Sequence, residues 1–542
     1  MPDDTFSIWR EEGSRLIQQH HQEFSRLVTQ AKDFTILGKY DLAAVYGEMA
    51  ALYAACQHCG FFVNTELEEI LLSIGRKAIS TNTNLKRSQP LQETPKYILH
   101  VASSVQSIGG LSRMIWRWIQ QDSDRSHSLV LTRQPGGKDV PKILRDSVIN
   151  SGGKIYKLNE TIGSLIAWAR RLREIAAVAD LVILHVYNHD VIPIIAFANK
   201  EEHPSPPIIL LNHADHLFWL GKSISDIVAN LRESGRCLSM ERRGIEVDRN
   251  LLLPIIIEPT QRSLPRSEAK KKLGLPEDSI VLLSIARALK YRTINATTFA
   301  DIHVPLLIQY PNTVLVVIGP DSRENWADAI YKTGGRVIVY PERDDTAIFH
   351  QAADIYVDSF PINSTTSMLE AGSYGVPLVS LYPYSDASKI LGADMPGLTK
   401  SLIYVHNLRD YTAVLSRLVE DEKHRLSLGE ATSKEIAEVH WGENWQCSLN
   451  ELYERAITTP RLTSITESTD QMFFGEPDVY LPILNKYDFD MDSLMQAHLS
   501  IMPLEQKLSY SIKYMIKSGS RLSFKQLLPE WLSVRLLKLL MK

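Results

Sequence analysis

Apolar and polar residues follow two different rhythms along this 542-residue chain. Over residues 1 to about 95, apolar side chains recur every third or fourth position, as in LGKYDLAAVYGEMAALYAA, and β-branched runs are few. Such spacing places them on one helix face and predicts an all-helical segment. Gly38, Tyr40, Ala43, Ala50 and Tyr53 have the small-and-aromatic pattern of a single helical hairpin. No second copy follows at the expected period of ~34 residues, so a helical cap is predicted and a solenoid is not. The polar, Pro-containing TNTNLKRSQPLQETPK then reads as a linker.

From Tyr97 the rhythm changes to short apolar runs: KYILHVA, HSLVLT, KIYKL, DLVILHV and PIILLNH. Helical periods such as LSRMIWRWIQQ and SLIAWARRLREIAAVA separate several of them. Strands alternating with helices predict a parallel sheet covered on both faces. After a polar, Pro-containing loop at 258–270 the pattern restarts with SIVLLSIA, TVLVVIG, RVIVYP, ADIYVDS and VPLVSL. The predicted organisation is a helical cap (1–95), a first α/β lobe (96–258), a second (259–457) closed by the helix WGENWQCSLNELYERAI, and a terminal segment (458–542). In that last segment 458–490 reads as an extended linker. From Lys507 onward, Lys507, Lys513, Lys517, Arg521, Lys525, Arg535, Lys538 and Lys542 face only Glu530, and LPEWLSVRLLKLLMK adds leucines. Such a tail fits either an anionic membrane surface or a helix docked back on the protein.

Composition narrows the function classes. A net charge of −4 argues against a nucleic-acid binder. Four cysteines exclude a disulfide scaffold and fit a reducing compartment. The start MPDDTFSIWREEGSR has no signal-peptide pattern and no uncharged run reaches ~18 residues, so a cytoplasmic protein is expected, peripheral on the membrane's inner face at most. Cys56-x-x-Cys59 lacks a partner pair with metal-site spacing, so structural thiols are expected and no metal.

Ligands of open α/β sheets bind at the carboxyl ends of strands beside helix N-termini, and two facing lobes would put two such edges across one cleft. In FPINSTTSMLEAGSYGVPLVSL, the residues Ser364, Thr365 and Thr366 open a helix just past a strand and offer N–H and O–H donors to a diphosphate. Glu370, a turn further in, is placed to accept from ribose hydroxyls. Arg287 and Lys290, just past SIVLLSIA, supply cations for the charge of a departing diphosphate. Gly109-Gly110, between a strand and a helix of the first lobe, permits close backbone approach to a substrate. His213 and Asp215 in LLNHADHLFWLG follow an apolar strand and are the catalytic candidates, the imidazole as a possible general base. His185 and Asn188 are candidates for touching an acceptor.

The stretch from about 96 to 457 resembles a GT-B glycosyltransferase, most closely the retaining family-four type. The likeness is carried by the Gly-Gly loop, SIARALK, TVLVVIGPD, RVIVYPE, MLEAGSYGVPLV and HWGENWQCSLNELYERA. It implies an α/β fold of two Rossmann-like lobes, here with an N-terminal helical domain (its hairpin similar to the tetratricopeptide type) and a basic helical tail. It also implies Arg287 and Lys290 at the donor diphosphate, Glu370 at the ribose, and Tyr340 and Pro341 beside the nucleobase. Three features depart from the family pattern. Ile362 stands where a second Glu is usual, and Lys290 follows the Arg by three residues instead of five, with Arg292 at five. The NSTT run resembles the hydroxyl-rich loop of O-GlcNAc-transferase-like enzymes, which invert, so the stereochemistry stays open. The expected function is transfer of a sugar from a nucleotide-sugar to an acceptor hydroxyl on a glycan, lipid or protein, of hexosyltransferase type and without a cofactor. A sugar-nucleotide epimerase and a non-catalytic glycan-binding or scaffold protein are the alternatives.

Overall fold

The computed structural model describes residues 3–79, 94–200, 205–258, 260–293, 297–320, 326–388, 390, 392–462, 470–484, 490–519 and 522–540. Most of the linker read at 81–96 and the tail residues Arg521 and Lys542 lie outside that set.

Two parallel sheets organise the chain. The first contains β1 (Tyr97–Ala102), β2 (Ser126–Leu131), β3 (Ile155–Lys157), β4 (Leu181–His185), β5 (Ile208–Asn212), β6 (Ile227–Asn230) and β7 (Asn250–Leu252), in the order β3-β2-β1-β4-β5-β6-β7. The second contains β8 (Ile280–Ile285), β9 (Thr313–Ile318), β10 (Val337–Tyr340), β11 (Ile355–Val357), β12 (Leu378–Leu381) and β13 (Leu402–Val405), in the order β10-β9-β8-β11-β12-β13. Both have the doubly wound order, whose direction reverses once, between β1 and β4 and again between β8 and β11. The central strands are apolar almost throughout and buried, as helices on both faces require. Two Rossmann-like lobes and a helical N-terminus are therefore present as expected.

Three strands are not among the predicted apolar runs. β6 and β7 are short and carry Asn230 and Asn250, which form a buried amide ladder. Asn212 donates to Asn230 at 3.0 Å, and Asn230 donates to Asn250 at 2.6 Å. The third is β13, four residues at the sheet edge.

The chain divides into two compact bodies. One holds the second sheet (Met1–Ile8, Leu231–Ser234, Leu253–Leu449), the other the first sheet (Trp9–Asn230, Gly235–Leu252, Asn450–Lys542). The N-terminal helices Asp3–Ile36, Tyr40–Cys56 and Thr65–Ala78 thus pack almost wholly with the first sheet. Their buried Glu68 carboxylate accepts the backbone N–H groups of Gly221 at 2.7 Å and Ser223 at 2.6 Å, a tie across 155 residues. The helix Gly442–Thr458 does not belong to the second lobe alone, since its later half counts with the first sheet, where Tyr453 donates to Asp122 at 2.8 Å.

The described residues 470–484 of the segment after it are also packed, not extended. Asp478, Val479, Tyr480, Leu481 and Leu484 are buried, and Gly13 leaves no room for a Cβ against the Val479 carbonyl. The tail is docked. Lys507 is buried with its ammonium on the Ser500 carbonyl at 3.1 Å, so it is not one of the surface cations expected. The helix Glu530–Leu540 lies on the first lobe, with Arg535 on the Glu160 carbonyl at 2.8 Å and Lys538 on its carboxylate at 2.9 Å.

Candidate functional site

At the point where the second sheet reverses, the chain leaving β8 meets the loop leaving β11. Gly319 makes the first of these turns possible. It sits at the end of β9 with φ +117°, and a Cβ there would lie 1.8 Å from the Ala286 carbonyl oxygen. Only glycine lets the backbone before Arg287 pass so close. Arg287 then caps a short 3-10 turn, Ala288–Lys290, and is half-exposed with Glu342 at 3.5 Å.

Lys290 turns inward. Its ammonium donates to the Asn363 carbonyl at 2.8 Å, one residue before the helix Thr365–Ser373 is capped. Tyr291 and Pro361 add a backbone bridge between the two segments. Burial pushes the Lys290 amine down to about 8, and the neighbouring Arg232 and Arg287 repel its charge further while Asp358 opposes them. The position is one where an anion would be welcome.

The loop from 358 to 364 is shaped by Asp358. A single oxygen of this buried carboxylate accepts the N–H of Ser359 at 2.8 Å and of Ser364 at 2.9 Å, and Ser380 approaches the other at 3.5 Å. Burial raises Asp358 to about 6 against these donors and Lys290. Holding Ser364 aims the start of the next helix. The N–H groups of Thr365, Thr366 and Ser367 have no acceptor within the helix, as in any first turn, and carry its positive dipole end. Ser364 itself is buried with its hydroxyl 3.3 Å from that of Ser367, while Thr365 and Thr366 are partly exposed. Glu370 is half-buried on the next turn. Ile362 is buried, so no carboxylate occupies the place where the family pattern has one.

Tyr340 ends β10 with its ring against Phe349 at 5.2 Å, and the guanidinium of Arg343 lies over both rings. Pro341 follows, exposed. The structure thus draws Arg287, Lys290, Ser364, Thr365 and Thr366 to one carboxyl edge. Asp358, Asn363 and Arg232 were missed by sequence reasoning. Asp358 could have been suspected from ADIYVDS, where a carboxylate ends an apolar strand. Nothing in the sequence marks the Lys290–Asn363 contact.

In the first lobe, Gly109 has φ +128° at the start of the helix Gly110–Gln121, a conformation that favours glycine. His213 follows β5 with its Nε2 unpartnered, and burial lowers it to about 4, so it is neutral at pH 7. A neutral imidazole with a free nitrogen can accept a proton. Asp215 is buried, with its carbonyl on Arg243 at 2.7 Å and its carboxylate 3.4 Å from His216. His185 does not face an acceptor. It is fully buried and its Nε2 meets His100 at 3.0 Å, in a row that continues to His127 at 3.0 Å. Asn188 is likewise spent on the Phe218 carbonyl at 2.7 Å.

Cys59 is buried, and that burial pushes its thiol up to about 12. Among the described residues no group of three or more His, Cys, Asp or Glu is placed to hold a metal ion. Among them, too, no helix is long and apolar enough to cross a membrane.

Residues 265–435 match the family model of glycosyl transferases group 1. Among curated proteins no sequence matches the chain. Among solved structures, a glycosyltransferase from Rickettsia africae aligns over 67% of this chain and 100% of its own, at 11% identity and a TM-score of 0.52. HepE from Anabaena, solved in complex with UDP, covers 66% of this chain and 98% of its own at 12% identity and TM-score 0.49. An O-GlcNAc transferase variant from Thermobaculum terrenum covers 83% of this chain and 84% of its own at 13% identity and TM-score 0.47. The likeness to the Rickettsia protein is one of fold, two Rossmann-like lobes of GT-B type, and the matched family segment contains every donor-side candidate from Arg287 to Glu370.

Proposed function

We propose that the chain is a glycosyltransferase that uses a nucleotide-sugar as donor and needs no cofactor. The observation that carries this reading is the 2.8 Å contact of Lys290 with Asn363, which sets a cation beside an open helix N-terminus. It lies where the second sheet reverses and inside the segment matching glycosyl transferases group 1. In the step, the bond from the sugar's anomeric carbon to the β-phosphate oxygen breaks and one from that carbon to an acceptor oxygen forms. The leaving diphosphate takes up the bonding pair, and Arg287, Lys290 and the N–H groups at Thr365–Thr366 hold the charge that gathers on it. Glu370 binds the ribose, and Tyr340 and Pro341 border the base. The acceptor proton goes to a base, for which His213 is the candidate with a free nitrogen and Asp215 the second. Gly109 and Gly110 flank the acceptor, and the transferred group is a hexose.

Incubation with UDP-, GDP- and ADP-sugars, with release of the nucleotide measured, tests the reading. Release that depends on an acceptor supports it. Conversion of the sugar without acceptor would make the protein an epimerase, and no turnover of any donor would make it a scaffold.

A membrane surface is a proposed partner. Leu504, Leu508, Ile512 and Ile516 form an exposed stripe along the helix Leu504–Ser518, with Lys513 and Lys517 beside it. Apolar residues at that spacing flanked by cations suit an anionic bilayer. Sedimentation with phosphatidylglycerol vesicles, lost in Leu508→Glu, is the expected result, and equal sedimentation of both forms contradicts it.

A further inference from the structure

The first sheet reverses direction between β1 and β4, and a pocket of about 400 Å³ opens at that point. This volume falls within the usual range of small-molecule sites. Its floor comes from the strand ends: Ser103 and Ser104 after β1, Arg133 after β2, and Tyr187, His189 and Asp190 after β4. Its walls come from outside the sheet, with Glu48 from the N-terminal helices and Ser500, Glu530 and Ser533 from the terminal segment. Leu537 and Val534 seat the wall on Gly136, where a Cβ would lie 2.9 Å from the leucine.

The polar groups are arranged in a particular way. Arg133 is gripped by Glu48 on one side and by Glu530 at 2.6 Å on the other, and Asn159 donates to Glu530 at 2.9 Å. Asp190 accepts from Ser103 and Thr132, each at 2.6 Å. The cation is thus paired on two sides. Three acidic side chains face one guanidinium, Glu48 among them raised to about 7 by burial, and His189 and His498, pushed down to about 3 and about 4 by burial, add no positive charge. An anionic ligand would meet repulsion here. Two features instead ask for hydroxyls. The Glu48 Oε2 atom is buried with no hydrogen-bond partner although the residue is 1% exposed, a costly state for a carboxylate oxygen. Ser104 and the Tyr187 phenol are paired at 2.6 Å, and the Tyr187 ring lies nearly parallel to His189, 27° apart, offering an amphipathic aromatic surface.

We propose that this pocket binds a neutral saccharide, one of whose hydroxyls donates to Glu48 Oε2 while the Ser104–Tyr187 pair takes others. The terminal helix is then part of the binding site. Its use as the seat of the acceptor rests on the transferase reading of the second lobe, whereas the binding itself does not.

Saturation-transfer NMR and calorimetry on the full chain test it with glucose, galactose, mannose, N-acetylglucosamine and maltose, beside glucuronate and glucose 6-phosphate. At least one neutral sugar should bind, with the two anionic sugars at least tenfold weaker. Glu48→Gln and the more exposed Tyr187→Ala should each weaken it at least tenfold, with affinity for nucleoside diphosphates unchanged. The proposal is overturned if no neutral sugar binds, if the anionic sugars bind as well, or if Tyr187→Ala binds like the parent. Saccharide binding without nucleotide binding would remove the transferase reading and keep the pocket. Nucleotide binding without saccharide binding would do the reverse.

Discussion

Lys290 is the residue on which the donor site turns. Burial holds its ammonium down to about 8, and the charges of Arg232 and Arg287 add to the effect, so a bound diphosphate must raise it again. Binding of an anion favours the protonated form, and affinity for a nucleoside diphosphate should fall as pH rises through about 8, by up to about tenfold per unit. Calorimetry from pH 7 to 9.5 measures this. Lys290→Met should bind about 10–100-fold more weakly at pH 7, the range of one charge-assisted hydrogen bond, and should flatten the slope. A slope that survives in the variant would assign the titration to another group. Sequence identified Lys290 as a cation past a strand. It could not show the Asn363 carbonyl as partner, because that contact joins positions 73 apart through the topology of the sheet. His185 misled for the opposite reason. A histidine ending a strand resembles a site residue, and only the alignment of β1, β2 and β4 reveals that it is packed in a row with His100 and His127.

At the scale of elements, the loop after β11 is held by one carboxylate oxygen. Asp358→Asn keeps an oxygen to accept both N–H groups, whereas Asp358→Ala leaves both buried and unpaired. Chemical denaturation should show a loss of about 2–4 kcal/mol for the alanine variant and less than about 1 kcal/mol for the asparagine variant. Equal losses would mean that the charge, not the acceptor, shapes the loop. Gly319→Ala should cost at least about 2 kcal/mol, from its left-handed backbone and the nearness of the Ala286 carbonyl, and the same denaturation experiment reads it. The elements most legible in the sequence were those whose burial is continuous, such as β4, β5 and β9. β6 and β7 were hidden by asparagines that look like turn residues and are in fact satisfied by one another across the sheet.

At the scale of the whole molecule, the N-terminal helices from Trp9 onward and the terminal segment are built into the body of the first sheet. Arg133 shows how, because it binds Glu48 from the N-terminal helices and Glu530 from the terminal helix. Arg133→Met leaves two carboxylates without their partner and should cost about 3–5 kcal/mol. Deleting 522–542 should cost less, since Glu530 departs with its helix. Thermal unfolding of the two variants gives the order, and the reverse order would contradict the proposed clamp. Charge counting read the terminal segment as an extended linker and a basic tail, and left a membrane surface and docking on the protein as alternatives for the tail. Individual partners dock it, with Lys507 on Ser500, Arg535 and Lys538 on Glu160, and they also fold the linker, with Asp478 on Arg242 at 3.2 Å.

The most direct test is a calorimetric titration of UDP, GDP and ADP into the full chain, repeated with Arg287→Ala and with Lys290→Met. At least one of the three should bind, and each substitution should weaken it by tenfold or more while the thermal midpoint stays within a few degrees. If none binds, or if both variants bind as tightly as the parent, the second lobe does not grip a diphosphate and the transfer reaction falls with it.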